Sequence, residues 1–151
     1  MLKVETAGAL KAYVGKEIGV SDWLTVTQER IQQFAEATED RQWIHTDPAR
    51  AARESPYGAT IAHGFLTLSL VSAIARQVLE IGGMRLAVNY GLNRVRFPSA
   101  VRAGSRIRGR VQLMGVKDVE GGGEATFVCV VEAEGGEKPC CIAEWIVRYY
   151  V

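Results

Sequence analysis

An antiparallel sheet of about five strands wrapped around one long helix, an α+β architecture, is what the sequence predicts. Two observations carry that prediction. Between Gly64 and Leu79 the apolar residues Phe65, Leu66, Leu68, Leu70, Val71, Ile74, Val78 and Leu79 go nearly all round a helix, the pattern of a buried one. From Arg85 onward the period changes to that of strands joined by glycine-rich turns, which implies an antiparallel meander. A sheet must bury one face, and this is the one long apolar helix available to cover it.

The segments follow in order. Leu2 to Val14 reads as a short amphipathic helix, with Leu10 and Val14 four apart and Gly15 ending it. Glu17 to Val26 alternates loosely and reads as a strand. Thr27 is a good N-cap for a helix Gln28 to Thr38, with Glu29 in the first turn and Ile31, Phe34 and Ala35 on one face. A polar stretch follows and ends at Asp47-Pro48, where proline at the first helical position starts a short charged helix to Glu54. Ser55-Pro56-Tyr57-Gly58 is a turn. The long helix comes next, stopped by Gly82-Gly83. Four strands complete the chain: Arg85 to Phe97, Ser105 to Val116, Glu124 to Glu134 and Lys138 to Val151. Gly121-Gly122-Gly123 is expected to be a tight turn or a flexible hairpin tip between the second and third of these.

The 151 residues fit one domain, residues 1–151, large enough to fold alone, and the 48% apolar content excludes disorder. A net charge of +1 gives no general electrostatic reason to expect nucleic acid as a partner. Three cysteines, two of them adjacent, do not form a disulfide framework and read as reduced thiols of a cytoplasmic protein. The N-terminal residues lack a secretory pattern. Polar residues recur through Ile61–Ile81 (His63, Thr67, Ser69, Ser72, Arg76, Gln77, Glu80), so this stretch reads as a buried helix and no membrane is expected as a partner.

The candidate chemistry begins in Ala37–Pro48, where Asp40, Gln42 and His45 crowd one short connection. A carboxylate and an imidazole facing one cavity can hold a water and act as base and acid. The spacing alone equally fits a capping aspartate and a histidine with ordinary partners. His63-Gly64 is the second constellation. Gly64 would open the long helix, where free N–H groups can stabilise a carbonyl oxygen gaining charge; it could also simply relieve crowding. Arg106, Arg108 and Arg110 share one strand face, either the solvated side of the sheet or an anion contact. Cys140-Cys141 lacks metal-ligand spacing, and neither a phosphate-binding loop nor a nucleophile elbow is present.

The run Phe34-Ala35-Glu36-Ala37-Thr38-Glu39-Asp40-Arg41-Gln42-Trp43-Ile44-His45-Thr46-Asp47-Pro48, with Ile61-Ala62-His63-Gly64-Phe65-Leu66, resembles the MaoC-like dehydratases. These include the (R)-specific enoyl-CoA hydratases; the NodN-like branch is the nearer in its Asp-x-Gln-Trp-Ile-His pattern. Asn93 to Gly104 is similar to a later strand motif of the family. The resemblance implies a hot-dog fold and a hydro-lyase that adds water reversibly to trans-2-enoyl-CoA. It puts the catalytic pair on Asp40 and His45 and the oxyanion-hole glycine on Gly64. Gln42, where the broad family has asparagine, His63 and Ser72 complete the expected substrate-binding set. The resemblance implies no metal and no cofactor beyond the CoA of the substrate, an acyl-CoA thioester as partner, and a homodimer or an assembly of dimers. Two other activities stay open at this point: a hot-dog acyl-CoA thioesterase, and a non-catalytic acyl-CoA-binding module.

Overall fold

The structure is a computed structural model that describes residues 1–151. Its elements are β1 (Leu2–Val4), a 3-10 helix (Ala7–Tyr13), β2 (Glu17–Val20), β3 (Leu24–Thr25), α1 (Gln28–Thr38), α2 (Trp43–Thr46), α3 (Pro48–Glu54), α4 (Gly64–Val78), β4 (Leu79–Ile81), β5 (Leu86–Arg96), β6 (Arg106–Val119), β7 (Gly122–Ala133) and β8 (Cys141–Tyr150). The main sheet runs β2-β6-β7-β8-β5, antiparallel throughout, with β3 also paired to β6. β1 and β4 form a separate parallel pair, Leu2 opposite Leu79 and Val4 opposite Ile81.

The sheet wraps α4 because its strands alternate. On β6, Ile107, Gly109, Val111 and Leu113 are buried while Arg106 and Arg110 are exposed. These inward residues meet Val71, Ile74 and Val78 of α4 in one cluster with Phe127, Cys129 and Val131 of β7 and Cys141, Ala143 and Val147 of β8. Burying a side chain such as Ile74 contributes roughly 1.5–3 kcal/mol. Gly109 is the point of closest approach: a Cβ there would lie 2.5 Å from Ile74 Cγ2, so only glycine lets the helix cross β6 at this depth.

Several expectations are corrected. Leu2–Val14 is not an α-helix. Its first residues pair with Leu79–Ile81, and the rest is a 3-10 helix capped by Thr6 Oγ, which accepts from the Ala9 amide at 3.3 Å. No local pattern reports a partner more than seventy residues away; Leu10 is nonetheless fully buried, as its apolar character requires. The strand expected over Glu17–Val26 is broken at Ser21–Trp23. There Ser21 exchanges bonds with Gly109, while the Asp22 amide turns to Gln77 Oε1 at 3.0 Å. The glycines 121–123 sit at the tip of the β6–β7 hairpin, with Gly121 in the turn and Gly122 and Gly123 beginning β7. α4 is not buried all round: Phe65 is 69% exposed, and Leu68 and Leu70 are only half-buried. The uncovered side lies along β5, whose other edge has no strand partner. No helix is long and apolar enough to cross a membrane.

Candidate active site

The stretch between α1 and α3 is shaped by one unusual backbone. Glu39 ends α1 in the left-handed region, at φ 64°, which costs a non-glycine residue roughly 1–2 kcal/mol. The chain then reverses through Asp40 and Arg41 into the single turn α2, too short for its sequence to show a helical period. Thr46 Oγ steadies this reversal by donating to the carbonyls of Arg41 and Gln42 at 3.0 and 3.1 Å. Trp43 and Ile44 do not enter the core cluster. Trp43 lies under the Arg50 guanidinium, 4.2 Å from its ring centroid. What fixes α2 is hydrogen bonding to the segment that leads into α4.

That lacing runs as follows. The Ile61 amide donates to Ile44 O at 3.0 Å. His45 Nδ1 bonds Ile61 O at 2.7 Å, and His63 Nε2 bonds the main-chain carbonyl of Asp40 at 2.8 Å. The two rings stack, with centroids 3.8 Å apart and planes 22° apart, and Phe34 packs against His63 at 4.9 Å. Both histidines are almost sealed, at 6% and 3% exposure, whereas Asp40 is exposed. A carbonyl can only accept, so Nδ1 of His45 and Nε2 of His63 must carry the protons. His45 Nε2 is then the free lone pair. Burial lowers the His45 pKa below the ordinary histidine value. The Ile61 carbonyl opposes that shift, neighbouring His63 adds to it, and Asp40 opposes it. The imidazole is therefore neutral, and able to accept a proton, at pH 7.

Gly64 follows His63 and is the first residue of α4. The first amides of the helix to find a carbonyl are those of Leu66 and Thr67, both on His63 O, at 3.0 and 3.2 Å, which leaves the Gly64 amide for a ligand. A Cβ at Gly64 would sit 3.0 Å from the Phe97 ring. Beside it opens a cavity of about 250 Å³, lined in part by Tyr57, Thr67, Phe97 and Pro98. Asp40, His45 and His63 thus share one place, their donor atoms within 4.8 Å of one another, with Gly64 next in the chain. That spacing would also admit a metal ion. The two rings are stacked, however, so their lone pairs lie in near-parallel planes and do not aim at a common point. Nδ1 of His45 and Nε2 of His63 donate to carbonyls, which leaves Nε2 of His45 and the buried, unpartnered Nδ1 of His63 as the free ring nitrogens.

The remaining candidates lie apart. Gln42 is exposed, and its side chain does not cap α2; its carbonyl accepts from the His45 amide at 3.0 Å. Ser72 sits eight residues into α4 from Gly64, about 12 Å along the axis. It lines two adjoining grooves of about 350 and 260 Å³ together with Asn89 and Trp145. The arginine strip is a ladder of ion pairs: Arg106 to Glu134, Arg108 to Glu132 at 2.5 Å and Arg110 to Glu17 at 3.4 Å, with Arg108 also over Trp23. The cysteines are buried and unpaired, their thiols pushed up to about 12 at Cys129 and Cys140 and about 11 at Cys141 by burial. Thiols so hard to ionise are poor nucleophiles.

Residues 10–133 match the MaoC like domain. The chain belongs to that family. Over 150 residues it is 51% identical to the 3-hydroxyacyl-thioester dehydratase Z of Mycobacterium tuberculosis, covering 99% of both chains. It is 47% identical over 138 residues to nodulation protein N of Rhizobium leguminosarum, covering 88% of this chain and 84% of that one. Among solved structures, the R-hydratase PhaJ1 of Pseudomonas aeruginosa superposes with a TM-score of 0.73 over 91% of this chain and 81% of the other, at 24% identity. That likeness establishes the hot-dog fold.

In this MaoC-like chain two polar residues that no sequence motif marks, Gln28 and Thr60, touch the site. Gln28, the first residue of α1, donates through Nε2 to His45 O at 2.8 Å, and its Oε1 accepts from the Thr60 hydroxyl. In the sequence Gln28 reads only as the first residue of an amphipathic helix. The only signal available was a pair of polar residues next to apolar runs, which by itself points nowhere.

Proposed function

We propose that the protein is an (R)-specific enoyl-CoA hydratase, equally a 3-hydroxyacyl-CoA dehydratase, that adds water reversibly across the double bond of a trans-2-enoyl thioester. The observation that carries this reading is the tautomer of His45. Its Nδ1–H is held by Ile61 O, so a neutral Nε2 is left near Asp40, on the segment laced to the one that opens α4 at the free amide of Gly64. The family membership and the 51% identity to a 3-hydroxyacyl-thioester dehydratase support the same reading.

Asp40 and His45 hold one water. As its oxygen bonds to C3, the pair takes a proton from it, and the C2–C3 π electrons move into the thioester. The enolate oxygen that forms is held by the Gly64 amide at the positive end of α4. The pair returns the proton to C2 on the same face, giving the (R)-3-hydroxyacyl thioester; dehydration is the reverse. His63 serves as the support under the pair, Ser72 and Gln42 as contacts along the acyl and thioester path. The chemistry asks for no metal or redox group, since CoA arrives with the substrate.

A homodimer completes the picture. β5 is an unpaired edge carrying exposed Val88, Tyr90 and Leu92, flanked by the uncovered side of α4 with Phe65. A long apolar edge of this kind needs a cover, and a second copy would supply the matching one. Three free, buried thiols fit a reducing compartment such as the cytoplasm.

The test is loss of enoyl-thioester absorbance with crotonyl-, octenoyl- and dodecenoyl-CoA, with free CoA followed in parallel. Hydration without CoA release is expected. Release of CoA would make the protein a thioesterase, and tight binding without turnover would make it a carrier.

A further inference from the structure

The proposed chemistry needs two things at a fixed separation: the His45 imidazole, on α2, and the Gly64 amide, at the start of α4. They belong to different segments, and a loose connection between them would lose the rate that orientation provides. Direct contacts hold the segments together: Ile61 N–H to Ile44 O, His45 Nδ1–H to Ile61 O and His63 Nε2–H to Asp40 O. A further bridge comes from outside both segments. The Gln28 amide, reaching over from α1, donates to the main-chain carbonyl of His45 and accepts from the hydroxyl of Thr60. Thr60 is 3% exposed and stands four residues before Gly64, and its own carbonyl is tied to the Ala103 amide at 2.9 Å.

We propose that Gln28 is a positioning residue for this reaction: its side chain clamps the main chain of His45 to Thr60 and so sets the imidazole against the α4 N-terminus. This rests on the reading of Asp40 and His45 as the reacting pair. The amide is suited to the task because one end must donate and the other accept. The His45 carbonyl can only accept, so Nε2 faces it, and Oε1 is left for the Thr60 hydroxyl. Glutamate would keep the second bond and lose the first; leucine would lose both at similar volume. Neither change touches substrate.

The experiment compares Gln28→Leu, Gln28→Glu, Thr60→Val and Thr60→Ser with wild type, using Ile31→Val in the same helix as a control for general loosening. Three quantities are read: thermal midpoint, kcat against KM with an enoyl-CoA, and the His45 Nδ1–H resonance in protein labelled with ¹⁵N-histidine. The chain has two histidines, so that spectrum is simple to assign. Gln28→Leu and Gln28→Glu are expected to lower kcat by about 10–100-fold with KM within a few-fold, the signature of misplaced groups. The His45 proton should shift and exchange faster in both, and Thr60→Ser should restore the wild-type values that Thr60→Val loses. If Gln28→Leu does not fold, Gln28→Glu and Thr60→Val carry the comparison. An unmoved His45 resonance and an unchanged kcat in a folded Gln28 variant would overturn the clamp. So would an equal kcat loss in Ile31→Val at the same thermal midpoint. Should wild type show no hydration, the proposed function fails, and the His45 resonance alone decides whether the clamp exists.

Discussion

Two polar regions of this molecule use similar residues to opposite ends. Along the outer face of β6 and β7, Arg106, Arg108 and Arg110 pair with glutamates in the open, about one third to one half exposed. At the mouth of α4 the polar groups of His45, His63 and Thr60 are sealed, and most of their bonds run to main-chain carbonyls. Exposed ion pairs contribute about 0–1 kcal/mol each, because water competes for both charges. A sealed polar group has no such alternative, and losing its partner costs about 1–3 kcal/mol. The proposed chemistry therefore sits where each bond is hard to replace. The arginine ladder decorates a surface that would fold without it.

That contrast can be attacked from its strong side first. Asp40→Asn should reduce hydration by about 10²–10⁴-fold while the circular dichroism spectrum and thermal midpoint stay near wild type, and His45→Gln should reduce it as much at a stability cost of about 1–3 kcal/mol. Full activity in either variant would remove the pair from the mechanism. Gly64→Ala is the next largest effect. Its Cβ would press on the Phe97 ring at 3.0 Å, so overpacking of about 1–3 kcal/mol is expected together with a slower reaction. Phe97→Leu in the same chain should recover most of the stability; no recovery would show that crowding is not the cause.

Acid should reach the sealed site before the ladder. The His45 pKa is lowered on folding, chiefly by burial. Between the unfolded value of about 6.5 and the lower folded value, the unfolded chain binds more protons. Stability from this group is thus complete above about 6.5 and falls as pH drops toward the folded value. Urea midpoints at successive pH values should show this slope, and His45→Gln should flatten it. Arg108→Gln is the smallest case: a change within about 1 kcal/mol and no effect on kcat. A larger loss of activity there would mean that the outer face contacts substrate after all.

The contrast also explains what was legible beforehand. α1 and α3 were read to the residue, because Thr27 and Asp47 cap them through their own side chains, at the Arg30 and Arg50 amides. The four long strands were read within a few residues, from alternation alone. β1 was not, since its partner is β4, and neither was α2, whose single turn has no period to detect. At the site, Asp40, His45 and Gly64 were nominated by pattern and resemblance. The stacking of His63 on His45 and the reach of Gln28 were invisible, because both join residues 17 or more apart in the chain.

The sequence by itself determined the long apolar helix, the alternating strands that must close over it, and the residue types at the two halves of the site. These follow from periodicity and from local capping, which act over a few residues. Only the tertiary structure decided that the halves meet, that His45 has its Nε2 free, and that one side of α4 and the edge of β5 are left uncovered. Those facts depend on which buried carbonyl each ring nitrogen finds, and a partner of that kind is chosen by packing, after the chain has folded back on itself.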